Sequence, residues 1–216
     1  LQGVLLDLTR QLAQVVGIAR REGAWLLVDE VYAGLEWEGP RAPSVAGLYE
    51  RGITTGSVSK ALGLQGLRTG WMICRDGDML MDAVILRENS SEIMNVLGEA
   101  IAEVALRPER LGPALERARA QGRANLDAVD RFVTATPRLT WQRPQAGLIG
   151  LARLPDGIDS EAFFRLLLSP PYRTFALPGA AYDRPRHIRL GVGGGAGADF
   201  RTGLDRLAAA LAAWPA

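Results

Sequence analysis

The run AWLLVDE, Ala24 to Glu30, constrains the fold of this chain more than any other segment. Its apolar residues are continuous rather than alternating, the pattern of a strand buried on both faces of a parallel sheet. It follows a segment in which Leu8, Leu12, Val15, Val16 and Ala19 recur at helical spacing, with Asp7 as candidate N-cap and Gly23 as candidate C-cap. A short helix over 44–50, a strand over 53–58 (ITTGSV) and a strand over 70–75 (GWMICR) come next. Helix alternates with strand, which predicts an α/β fold.

From Asp78 to about Thr134 the spacing is helical, and Pro108 and Pro113 are expected to break it. Beyond Thr136, strands are expected over 139–142, 148–154, 174–177 and 187–192. A helix over 160–168 is capped by Asp159 or Ser160, and a last amphipathic helix carries Phe200, Leu204, Leu207, Ala208 and Leu211 behind Asp199 as cap. The stretch GVGGGAGAD, 191–199, reads as a flexible turn. The expected organisation is a large α/β domain of which 1–107 is the remainder, a helical connection over 108–136, and a small α+β domain over 137–216. Three strands in the large domain leave long exposed edges. We therefore expect strands to be missing, in preference to a compact small domain with a trimmed terminus.

Composition removes several function classes. Lys plus Arg is 25 and Asp plus Glu is 24, so the formal net charge of +1 gives no electrostatic argument for a nucleic-acid partner. No apolar run approaches a membrane span, and no charged segment with a following apolar region opens the chain as a signal peptide would. One cysteine, Cys74, and one histidine, His187, rule out an intramolecular disulfide and a His/Cys zinc site. The lone thiol fits a cytoplasmic protein. His187 lacks a nearby nucleophile elbow, so proton transfer falls to Lys, Tyr, Asp or Glu, and His187 is expected to be structural.

Three pieces carry chemistry. In VDEVY, Asp29 ends a strand and Tyr32 follows three positions on. In SVSKALGLQGLRTGW, Ser57, Ser59 and Lys60 precede Arg68. In HIRLG, Arg189 lies in a late strand. Sites in open α/β sheets form at the carboxyl ends of strands, where Asp29 and Lys60 both fall. Two hydroxyls, a lysine and an arginine with Gly63 and Gly66 between them make a phosphate-anchoring set. Each piece alone has an ordinary reading: Asp29 as a turn former, Lys60 solvated, Tyr32 as packing, Arg189 in a surface ion pair. Their joint order and spacing are specific.

This constellation resembles the class I/II aminotransferases, fold type I enzymes that carry pyridoxal 5'-phosphate. Their pattern is D-x-x-Y, S-x-S-K, an arginine eight positions after the lysine, and a late arginine before a small-domain strand. QAGLIGL with Gly147 and LPGAAY with Tyr182, where the family's turn ends in Phe, add to the likeness, which covers essentially the whole chain. The resemblance implies that Lys60 forms the Schiff base and acts as the catalytic base. Asp29 bonds the pyridine nitrogen, Tyr32 donates to the ring O3′, and Ser57, Ser59 and Arg68 hold the phosphate. Arg189 takes the substrate carboxylate as a planar fork. It further implies amino-acid and 2-oxo-acid substrates and a homodimer. Asp29, Arg68 and Lys60 should share one face at strand C-terminal ends, with Arg189 approaching from the small domain.

The family's phosphate-binding small-residue loop, its stacking aromatic and the asparagine of its N-P-x-G motif do not occur in the chain. Gly3 stands at about the distance from Asp29 expected of that motif's glycine, so the expectation is an N-terminally truncated chain that is by itself a poor enzyme and prone to associate. Two alternatives remain beside amino transfer. One is a cyclase or lyase of unusual amino-acid biosynthesis, of the capreomycidine-synthase kind. The other is a non-catalytic pyridoxal-phosphate-sensing domain of a transcription regulator.

Overall fold

The computed structural model describes residues 2–193 and 197–214, with side chains from residue 9 onward. Gly194 to Ala196, the centre of the expected glycine-rich turn, lie outside the described residues. The chain divides into two compact units, Leu1–Arg117 and Ala118–Ala216.

In the first unit, helix α1 spans Gln2–Glu22, so Asp7 lies inside the helix and does not cap it. No proline stands between residues 2 and 7 to stop the helix from starting earlier. Its other end is as expected. Gly23 has φ +62°, its N–H donates to Arg20 O at 3.4 Å, and the N–H of Ala24 donates to Ala19 O at 2.9 Å. This pair of bonds is the Schellman arrangement, which a glycine adopts without strain. The chain then enters strand β1, Leu26–Asp29, followed by helix α2, Val45–Leu48, and strands β2, Gly52–Ser57, and β3, Gly70–Cys74. The sheet order is β1-β2-β3, with β1 parallel and β3 antiparallel to β2.

Val16 and Ala19 of α1, Val45 of α2 and Tyr49 form the buried cluster on one sheet face, with Leu12, Leu26 and Val28 against it. Tyr49 is 1% exposed, and its hydroxyl lies within hydrogen-bonding distance of Ala19 O (3.1 Å) and Ala24 O (2.8 Å), which ties α1 to the entry of β1. The other face of β1 is open: Leu27 is 64% exposed. The expectation of a strand buried on both faces is therefore not met within this chain. A continuous apolar run records what a strand can bury, and nothing among the described residues covers Leu27.

Helix α3, Gly77–Ser91, is capped by Asp76, and helix α4, Val96–Leu106, by Asn95. Helix α5 runs unbroken from Pro108 to Ala135 with Pro113 inside it. Pro108 occupies the first helical position, where its missing N–H costs nothing. Pro113 removes a single ladder bond near the start of a 28-residue helix, so it does not divide the helix as its sequence suggests. The helical stretch is broken as expected just ahead of Pro108, where Arg107 ends α4, and also at Glu92, which has positive φ.

The second unit is an antiparallel sheet with helices against it. Its strands are β4, Thr140–Trp141; β5, Ile149–Arg153; β6, Leu177–Pro178; and β7, His187–Gly191, in the order β4-β5-β7-β6. Helix α6, Ser160–Leu168, is capped by Asp159, whose Oδ1 accepts from the N–H groups of Glu161 and Ala162. Ser160, the other candidate cap, is fully buried and its Oγ accepts from Ala180 N–H at 3.2 Å. Helix α7, Ala198–Ala212, is preceded by Gly197 as cap. Asp199 lies in its first turn rather than before it, where a carboxylate still complements the helix dipole. Ala152, Phe163, Leu167, Ile188, Leu190 and Leu207 make the core. No helix among the described residues is long and apolar enough to cross a membrane.

Candidate active site

The register of the first sheet places the motif residues. Asp29 pairs with Thr55 at the C-terminal end of β1, and Ser57 ends β2 opposite Gly70, where β3 begins. Because β1 and β2 are parallel and β3 returns antiparallel, these three points lie at one edge. Asp29, the segment Ser57–Lys60, and Arg68 just ahead of β3 therefore share that edge.

Asp29 is exposed. Its Oδ1 accepts from Val31 N–H at 3.0 Å and from the Thr55 hydroxyl at 3.4 Å. These bonds orient the carboxylate, and it has no ion-pair partner among the described residues. Tyr32 is half-buried in the turn that follows. Ser57 and Ser59 are half-buried on either side of the fully buried Val58, and the N–H of Ser59 donates to Ser57 Oγ at 3.2 Å. Lys60 is exposed.

Arg68 has left-handed backbone, φ 52° and ψ 35°, at the end of the short 3-10 turn Gln65–Leu67, and its Nη1 donates to Gln65 O at 3.1 Å. It too has no carboxylate partner among the described residues. An uncompensated guanidinium, two serine hydroxyls and a lysine at one strand edge suit a phosphorylated ligand. A side chain at Gly63 or Gly66 would meet no atom within 4 Å, so the ground between Lys60 and Arg68 is open, as a phosphate cradle requires.

One contributor escapes motif reading. Asn95 caps α4 by accepting from Gly98 N–H, and its amide also donates to Leu67 O at 3.0 Å, fixing the residue next to Arg68. An asparagine just before the apolar run VLGEAIAEVAL is the cap signal that could have located it.

Arg189 lies in the second unit, on β7 between Leu177 of β6 and Leu151 of β5 in register. It is half-buried, its Nη1 donates to the hydroxyl of Tyr182, and its guanidinium carbon stands 5.8 Å from the centre of the Tyr182 ring. No carboxylate pairs with it among the described residues. A cavity of about 340 Å³ beside it is lined by Phe175, Leu177, Phe200, Leu204 and Leu207 together with Arg189. No group of three or more His, Cys, Asp or Glu placed to hold a metal ion occurs among the described residues.

The chain is 29% identical over 178 residues to the arginine–pyruvate transaminase AruH of Pseudomonas aeruginosa, covering 78% of this chain and 43% of that protein. It is 31% identical over 159 residues to the LL-diaminopimelate aminotransferase of Desulforudis audaxviator, covering 72% of this chain and 40% of that protein. Among solved structures, a PLP-dependent aminotransferase from Streptococcus suis superposes with a TM-score of 0.84 at 28% identity, over 93% of this chain and 52% of that one. The PLP-dependent cyclase OrfR superposes with a TM-score of 0.85 at 26% identity, over 94% and 54%. The chain thus spans about half the length of the proteins it matches. The sequence profile described as "Aminotransferase class I and II" matches residues 3–207, and the chain belongs to that family.

Proposed function

We propose that this chain is the cofactor-carrying and small-domain part of a pyridoxal 5'-phosphate-dependent aminotransferase, which moves an amino group from an L-amino acid to a 2-oxo acid with Lys60 as the attaching amine. The observation that carries this reading is the single sheet edge shared by Asp29, Ser57, Ser59, Lys60 and Arg68 in a chain of this family. On the same reading, 1–107 belongs to the cofactor-binding domain, 108–136 connects, and 137–216 is the small domain.

When bound, the cofactor supplies an electron sink next to the substrate Cα. Asp29, already oriented by Val31 N–H and Thr55, offers a fixed carboxylate to the protonated pyridine nitrogen. Ser57 and Ser59 donate to phosphate oxygens, and Arg68 adds a charged fork. The Tyr32 hydroxyl donates to the ring oxygen. The Lys60 amine would serve as the base that carries a proton between the substrate Cα and the cofactor carbon. Arg189 receives the substrate carboxylate.

Borohydride reduction of the full-length protein loaded with pyridoxal phosphate, followed by peptide mapping, should tag Lys60. A different tagged lysine would overturn the assignment. A panel of L-amino acids with pyruvate or 2-oxoglutarate should then yield the matching 2-oxo acid.

A cyclase or lyase is the second reading, favoured by the likeness to OrfR. Product analysis separates the two, since amino transfer consumes the 2-oxo acid and cyclisation does not. We further infer a homodimer, supported by the exposed Ile85, Leu86, Ile93, Val96 and Leu97 and checked by light scattering. A cytoplasmic setting is supported by the single buried free thiol, Cys74, and is checked by cell fractionation.

A further inference from the structure

Tyr182 and Arg189 are seven residues apart, and the turn between them brings the phenol onto the guanidinium. That turn is rigidly built. Gly179 is buried, and a side chain there would stand 2.3 Å from Arg184 O and 2.5 Å from His187 O. The N–H of Arg184 donates to Gly179 O at 2.9 Å, and the N–H of Asp183 donates to Ala180 O at 3.1 Å. Ala180 is anchored in turn to the fully buried Ser160. Tyr182 is therefore held by backbone, although the residue is 45% exposed.

Arg189 has the opposite problem. Its stem lies between two leucines, and its charged head has no carboxylate partner among the described residues. A long side chain free to rotate gives up rotamer freedom when it binds an anion, and one already oriented gives up less. The Tyr182 oxygen takes one of the guanidinium N–H groups, which restrains the fork and leaves its remaining donors for an incoming carboxylate.

We propose that Tyr182 is a positioning residue for carboxylate binding, acting through Arg189 by holding its guanidinium in one plane before the ligand arrives. This rests on the reading of Arg189 as the carboxylate site. The hydroxyl is the decisive group: a phenylalanine at 182 keeps the ring and loses the bond.

The test uses full-length protein loaded with pyridoxal phosphate and two unreactive probes, 4-methylpentanoate and its neutral carboxamide, titrated by calorimetry. Tyr182→Phe should weaken the carboxylate about tenfold, the scale of one hydrogen bond to a charged group at a half-exposed site, and leave the carboxamide unchanged. Tyr182→Leu, which removes the ring as well, should weaken the carboxylate at least as much, and carries the same comparison if the Phe variant does not accumulate. In an Arg189→Ala background, Tyr182→Phe should add no further loss. With a turned-over amino acid, the loss should fall in KM rather than kcat. A loss under threefold for the carboxylate, or an equal loss for both probes, overturns the role of Tyr182 while leaving Arg189 in place. Wild-type carboxylate affinity in Arg189→Ala overturns the reading of Arg189, and this proposal with it.

Discussion

Gly179→Ala tests whether the turn below Tyr182 is as tightly built as its geometry implies. The new Cβ would lie 2.3 Å from Arg184 O and 2.5 Å from His187 O, both backbone atoms that no rotamer change can move. Ordinary carbon–oxygen contacts are about 3.3 Å or more, so each carbonyl must retreat by about 1 Å. Overpacking of this kind costs about 1–3 kcal/mol. The Arg184 N–H to Gly179 O bond that closes the turn adds about 1 kcal/mol when it is lost. Against this, replacing glycine stabilises by about 0.4–1 kcal/mol through the unfolded chain. The expected net loss is about 1–3.5 kcal/mol, read from urea unfolding followed by far-ultraviolet circular dichroism. Gly203→Ala is the matched control. It lies inside α7 with nothing within 4 Å of a new Cβ, and it should gain about 0.5–1 kcal/mol from helix propensity. A loss below about 0.5 kcal/mol for Gly179→Ala would show that the turn yields and that its contacts do not hold Tyr182.

Asp159→Ala should cost about 1 kcal/mol in the same assay, because Oδ1 accepts from two N–H groups at the start of α6. Glu50 is held down to about 2, first by its side-chain bond from Arg20 at 2.9 Å. Its contribution is therefore present above the ordinary carboxylate range and is lost as pH falls towards 2. Glu50→Gln should flatten that acid limb, and salt should shrink the difference because the pair is exposed. His187 is pushed below its usual pKa by burial and then by Arg184, Arg153 and Arg186, and its buried Nδ1 has no hydrogen-bond partner among the described residues. The folded state thus favours neutral histidine, so its share of stability is complete above the unfolded value near 6.5 and is lost as pH falls below it. His187→Asn should reduce the loss of stability between pH 7 and 5 while altering turnover little.

Local features of this chain were legible before any coordinates. The D-x-x-Y and S-x-S-K spacings need only a strand end and a short loop to acquire meaning, and β1 and β2 supply both. The C-cap at Gly23 and the cap of α6 follow from single residues. What failed depended on neighbours. AWLLVDE reads as doubly buried, yet Leu27 is open because burial belongs to what packs on a strand and not to the strand's own composition. Pro113 reads as a stop, yet α5 continues because the rest of a long helix outweighs one absent bond. Tyr182 stood out only as a departure from a familiar turn. Its meeting with Arg189 needed the left-handed Asp183 and the hydrogen bonds that fold the turn back onto β7.

The sheet order makes β1 an outer strand among the described residues, joined to β2 alone. The N–H of Leu26 donates to Arg51 O at 3.0 Å and that of Glu30 to Thr55 O at 2.8 Å. The intervening amides of Leu27 and Asp29 point the other way by the alternation of a strand. Amide exchange should therefore be slow at Leu26 and Glu30, whose N–H groups donate across the ladder, and fast at Leu27 and Asp29, whose N–H groups face away from β2. The carboxylate proposed for the cofactor's ring nitrogen thus belongs to a residue whose own N–H faces away from the only strand paired with β1 among the described residues. Occupancy of the site would register there as slowed exchange before any change in global unfolding.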